Sequence, residues 1–141
     1  VRMNSSTKER VLIVGTGLTG SLTCYHLRKL LNKAVSIDMA DMARGAGGRM
    51  STTRYGDVGT RANTGAQYVS CCSPDTVALL EAVCTDNGSE QQCGMQLVQT
   101  PERRSTHFLL EPESSYSNWL PRGGTNALVK HFLYAGEPDT V

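Results

Sequence analysis

Three glycines, Gly15, Gly17 and Gly20, are spaced Gly-x-Gly-x-x-Gly and stand directly after the apolar run Val11-Leu12-Ile13-Val14. Each does without a side chain for a different reason. Gly15 permits a tight turn out of a strand, Gly17 lets the backbone approach a pyrophosphate, and Gly20 lets the following helix pack close to that strand. The first turn of such a helix leaves N–H groups without partners, and these favour a phosphate charge. Asp38 closes the next apolar run, where a carboxylate can accept hydrogen bonds from ribose hydroxyls. Asp41 stands nearby, and for either acid the other reading is a solvated loop carboxylate.

Just past these acids lies Arg44-Gly45-Ala46-Gly47-Gly48-Arg49-Met50-Ser51-Thr52. Consecutive glycines such as Gly47 and Gly48 ahead of the cation Arg49 suit a loop that wraps a dinucleotide. A plain NAD dehydrogenase does not need such a loop, so FAD is the expected cofactor. His26, His107 and His131 stand apart from any nucleophile and acid at telling spacing, which excludes a hydrolase triad and nominates no catalytic residue. The five cysteines, Cys24, Cys71, Cys72, Cys84 and Cys93, include no C-x-x-C pair and have no His at ligand spacing. A reducing compartment and no metal are therefore expected.

These residues need elements to hold them. Residues 11–14 form an unbroken apolar run, as in a parallel strand covered on both faces. Residues 18–31 carry Leu18, Leu22, Leu27, Leu30 and Leu31, with Arg28 and Lys29 near the C-terminal end, which suits a helix and its dipole. Residues 35–38 read as a second strand. The fold class that follows is α/β, a Rossmann-like βαβ unit with a right-handed crossover. Residues 40–55 read as loop, with room for a short helical turn. Ser73-Pro74-Asp75 is a helix start that Gly88 should end. Residues 95–99 and 106–110 are expected strands around an Arg103-Arg104 turn, and residues 126–134 a last helix. The domain reading is a polar leader over 1–10, a dinucleotide-binding unit over 11–70, and over 71–141 the start of a substrate domain together with a helix near the dinucleotide-binding unit, with no closing strand after that helix.

The chain has 141 residues, 39% of them hydrophobic, and a net charge of +1. That is the size of one ordinary domain. Scattered Lys and Arg give no patch for nucleic acid, and no apolar run reaches the roughly 18 residues of a membrane span. The leader shows no signal peptide, so a cytoplasmic location is expected.

Four segments in order give a more specific likeness: residues 11–22, Gly47-Gly48-Arg49-Met50-Ser51-Thr52, Gly65-Ala66-Gln67-Tyr68-Val69 and Lys130-His131-Phe132-Leu133. Together with Pro121-Arg122-Gly123-Gly124, they resemble the N-terminal portion of the renalase family of amine-oxidase-like flavoproteins. The resemblance implies non-covalent FAD, with 2- and 6-dihydro isomers of NAD(P) oxidised to NAD(P)+ and O2 reduced to hydrogen peroxide. It also implies that Thr19, Arg49, Gln67 and Tyr68 contact FAD and that Asp38 holds the adenosine ribose. Secretion, described for that family, is the alternative location. The chain departs from the family pattern at Asn63, where an acid is usual, and over residues 54–61. It is also much shorter, so a truncated unit is expected. Two other readings are an amine-oxidase-type flavoprotein and an inactive nucleotide-binding or interaction fragment.

Overall fold

A computed structural model describes residues 8–56, 60–85, 95–98, 117–121 and 123–141. The apolar run lies in β1 (Glu9–Val14), the glycine turn leads into α1 (Leu18–Leu31), and the chain returns in β2 (Val35–Ala40). The two strands are parallel, with Val11 opposite Ile37 and Ile13 opposite Met39. Those four side chains pack towards the helices, joined by Cys24, Val35 and Leu133 in one apolar core. Side chains alternate along a strand, so Leu12 and Val14 fall on the other face and are 64% and 81% exposed. Burial of β1 on both faces was expected. Both α1 and the last helix lie on the Val11–Ile13 side, and among the described residues nothing covers the other.

After β2 the chain leaves the parallel pair. It makes a single 3-10 turn at Gly48–Met50, then a hairpin of β3 (Thr52–Tyr55) and β4 (Thr60–Asn63). Next come β5 (Val69–Cys71), α2 (Pro74–Thr85), β6 (Met95–Val98) and β7 (Ser117–Pro121). The last three strands form an antiparallel sheet in the order β5-β7-β6. Pro74 takes the first helical position of α2 and Asp75 its first turn, as the sequence predicts. The Arg103-Arg104 turn, residues 106–110 and Gly88 lie outside the described residues, as does Cys93.

The chain then comes back. α3 (Thr125–Ala135) lies against α1, where Tyr25 and Phe132 meet edge to face with centroids 5.3 Å apart. Leu133 of α3 joins the core under β1 and β2. Leu128, Val129 and Phe132 join a second core with Met50, Cys71, Leu80, Val83 and Trp119. One amphipathic helix thereby serves both cores. α3 packs on α1 of the βαβ unit.

No strand follows α3 among the described residues, and the last residues lie along the free edge of β2 as an isolated parallel bridge between Asp38 and Thr140. Asp139 N–H donates to the Ile37 carbonyl at 2.8 Å, and Met39 N–H donates to the Thr140 carbonyl at 3.0 Å. Arg28, only 9% exposed, fastens this tail. Its guanidinium donates to the carbonyls of Gly136, Glu137 and Val35 and, at 3.0 Å, to the Asp139 carboxylate. The same carboxylate accepts the Ile37 N–H at 2.7 Å.

Candidate functional site

The C-terminal end of β1 opens into a groove of about 1010 Å³, bounded by the start of α1, by residues 47–51 and by residues 64–66. Ligands of open α/β sheets bind at this end of the strands. The glycine turn forms the groove's floor. Gly15 has φ +100°, a region L side chains rarely adopt, and its N–H donates to the Ala40 carbonyl at 2.7 Å. Gly20 carries the closest approach, because a Cβ there would run into the Gly15 carbonyl oxygen. Gly17 caps α1 without any side-chain hydrogen bond, and the first turn holds no acid. The N–H groups of Leu18 and Thr19 thus have no intrahelical acceptor, and both residues line the groove.

The second glycine segment lies directly across. Gly47 N–H donates to the Thr16 carbonyl at 3.1 Å, and a Cβ on Gly48 would stand 3.4 Å from the Gly17 Cα. Side chains on either segment would narrow the slot. Arg49 follows at the rim, and among the described residues its exposed guanidinium makes no hydrogen bond or ion pair. Its carbonyl accepts the Ala66 N–H at 2.9 Å, which draws residues 64–66 in as the third wall.

Of the expected cofactor contacts, Gly15, Gly17, Thr19, Gly20, Gly48 and Arg49 come together on this groove. Asp38 does not. It lies on the outer face of the sheet, where Arg10 donates to its carboxylate at 2.6 Å and the Thr140 hydroxyl at 2.7 Å. The Thr140 hydrogen bond, then Arg10, holds this carboxyl below its ordinary range. The acid at the groove is Asp41. β2 runs to Ala40, two residues past its expected end, so the first acid beyond the strand is Asp41. Its carboxylate accepts the Ala43 N–H at 2.8 Å and the Thr16 N–H and hydroxyl at 2.6 and 2.7 Å, which lowers its pKa to about 2. The sequence offered one signal for it, its place beside Asp38.

Gln67 and Tyr68 also stand outside the lining. The Gln67 amide donates back to the Asn63 and Gly65 carbonyls at 2.9 and 3.1 Å, and Tyr68 is 48% exposed. Asn63, the departure from the family's acid, has a separate task. Its Oδ1 accepts the Thr125 N–H at 3.0 Å and the Thr52 hydroxyl at 2.9 Å, capping α3 from a neighbouring strand. Among the described residues no His, Cys, Asp and Glu group could hold a metal ion, and no helix is long and apolar enough to cross a membrane.

Comparison with known proteins agrees with this geometry. The chain is similar to renalase of Mus musculus, with 41% identity over 63 residues. That stretch is 44% of this chain and 18% of the mouse protein, so the chain spans under a fifth of that relative's length. The description of the NAD(P)-binding Rossmann-like domain matches residues 13–83, half of the chain, from inside β1 through the groove to α2. A glycine turn between parallel strands, a helix N-terminus left open to phosphate and this match together place the chain in the family of NAD(P)-binding Rossmann-like domains.

Proposed function

We propose that the chain is the nucleotide-binding part of a renalase-like flavin oxidoreductase, and that the groove holds FAD. One observation carries this reading: two glycine segments face each other across a single groove, Gly17 against Gly48, with an uncapped helix start on one side and Arg49 on the other. A dinucleotide pyrophosphate fits that slot because backbone can approach it from both sides. The N–H groups of Leu18 and Thr19 meet its charge, and Arg49 adds a charge-assisted contact at the rim. Asp41, rather than Asp38, accepts the adenosine ribose hydroxyls. Gln67 holds the 63–65 turn against Arg49 instead of reaching the cofactor.

When bound, FAD supplies the hydride acceptor and the route to oxygen, so a dihydronicotinamide isomer, O2 and a proton give NAD(P)+ and hydrogen peroxide. The residues described here bind and orient the cofactor, and no side chain among them is required to move a proton. The test is a titration of the 141-residue chain with FAD and with NAD, followed by fluorescence quenching. FAD should bind more tightly. Equal or tighter binding of NAD would overturn the flavin reading.

A further inference from the structure

Thr16 stands between two glycines in the turn and is only 2% exposed. Nothing in the turn itself calls for a side chain there. Yet its hydroxyl and its N–H both donate to the same oxygen of Asp41, Oδ2, at 2.7 and 2.6 Å. The other oxygen, Oδ1, accepts the Ala43 N–H at 2.8 Å, so the carboxylate is gripped at both ends and cannot rotate freely. The Thr16 carbonyl accepts the Gly47 N–H at 3.1 Å. One residue therefore ties the first glycine turn to the groove's acid and to the second glycine segment.

We propose that Thr16 is a positioning residue: it fixes Asp41 in the groove and so makes the site select an adenosine ribose with a free 2′-hydroxyl over one bearing a 2′-phosphate. This rests on the dinucleotide reading above and adds its selectivity. A phosphate monoester brings about two negative charges. A carboxylate free to swing out would tolerate them. One held at both oxygens by three donors stays in place, so like charges meet at close range.

The experiment compares the parent chain with Thr16→Ala and Thr16→Ser. ADP-ribose and its 2′-phosphorylated form, which share the adenosine half of FAD, compete against FAD. The preference between these competitors is the readout that a merely structural role for Thr16 would leave unmoved, and in parallel carbon-13 NMR of the Asp41 carboxyl reports whether the hydroxyl still holds it. The parent should prefer the unphosphorylated competitor roughly tenfold or more, as expected for a charge-assisted contact against a repulsive one. Thr16→Ala should shrink that preference several-fold and raise the Asp41 titration only part of the way, because the N–H groups of residues 16 and 43 still donate to the carboxylate, and Thr16→Ser should restore both. A preference unchanged in Thr16→Ala, or Ala and Ser variants that behave alike, would overturn the assignment while leaving dinucleotide binding intact. A parent that binds no FAD, with the NMR shift present, would instead overturn the dinucleotide reading and the selectivity with it.

Discussion

Asn63 illustrates how one side chain can carry structure where a ligand role would be the first thought. It stands beside the groove, yet its Oδ1 caps α3 through Thr125 and takes the Thr52 hydroxyl. Removing an N-cap acceptor costs about 0.5–2 kcal/mol. Asn63→Ala should therefore lower stability by about 1 kcal/mol in urea melts, with FAD affinity nearly unchanged. Asn63→Asp should keep or raise stability, because a carboxylate at a helix start meets the positive end of its dipole. A loss of FAD affinity without loss of stability in Asn63→Ala would place Asn63 in the site instead. Asp38 teaches the same lesson from the other side. Its position at a strand end made it look like the ribose acid, but strand alternation and a β2 longer than expected turn it to the outer face, towards Arg10.

At the scale of elements, the tail that pairs with β2 depends on Arg28 and Asp139. The Ile37 N–H, then the Arg28 guanidinium, hold the Asp139 carboxyl at about 2 against an ordinary 3.8. A pKa depressed by folding adds stability above the unfolded value and loses it as pH falls through the folded one. Asp41 and Asp38 are shifted in the same direction. The chain's melting temperature should accordingly fall between about pH 4 and pH 2, the window set by these shifts. Asp139→Asn should melt lower than the parent at neutral pH and lose less on acidification. Parallel pH profiles for the two proteins would mean that the clamp contributes nothing.

Over the whole molecule, the sequence is most readable where period and glycine spacing coincide. The glycine turn, α1, α2 and α3 each carry a local signal: Gly15 and Gly20 for the turn, Pro74 for α2, and Leu128, Val129, Phe132 and Leu133 for α3. Strands β3, β4, β5 and β7 carry none, being three to five residues long and, in β3 and β4, largely polar and exposed. Their pairing is set by register with distant partners, such as Val69 with Trp119. The return of residues 139–140 to β2 is equally non-local, since it hangs on Arg28 more than a hundred positions earlier in the chain. The groove follows the same rule. Its glycines are legible singly, while the facing of Gly17 and Gly48 and the choice of Asp41 appear only once the chain is folded.

That facing is the central claim, and amide chemical-shift mapping on the isotopically labelled chain during titration with FAD tests it most directly. The expected result is a set of shifts at Gly15, Gly17, Thr19, Asp41, Gly48 and Arg49, moving together with one affinity. Shifts centred on Asp38 or on the outer face of α1 around His26 and Leu30, with both glycine segments unmoved, would contradict it.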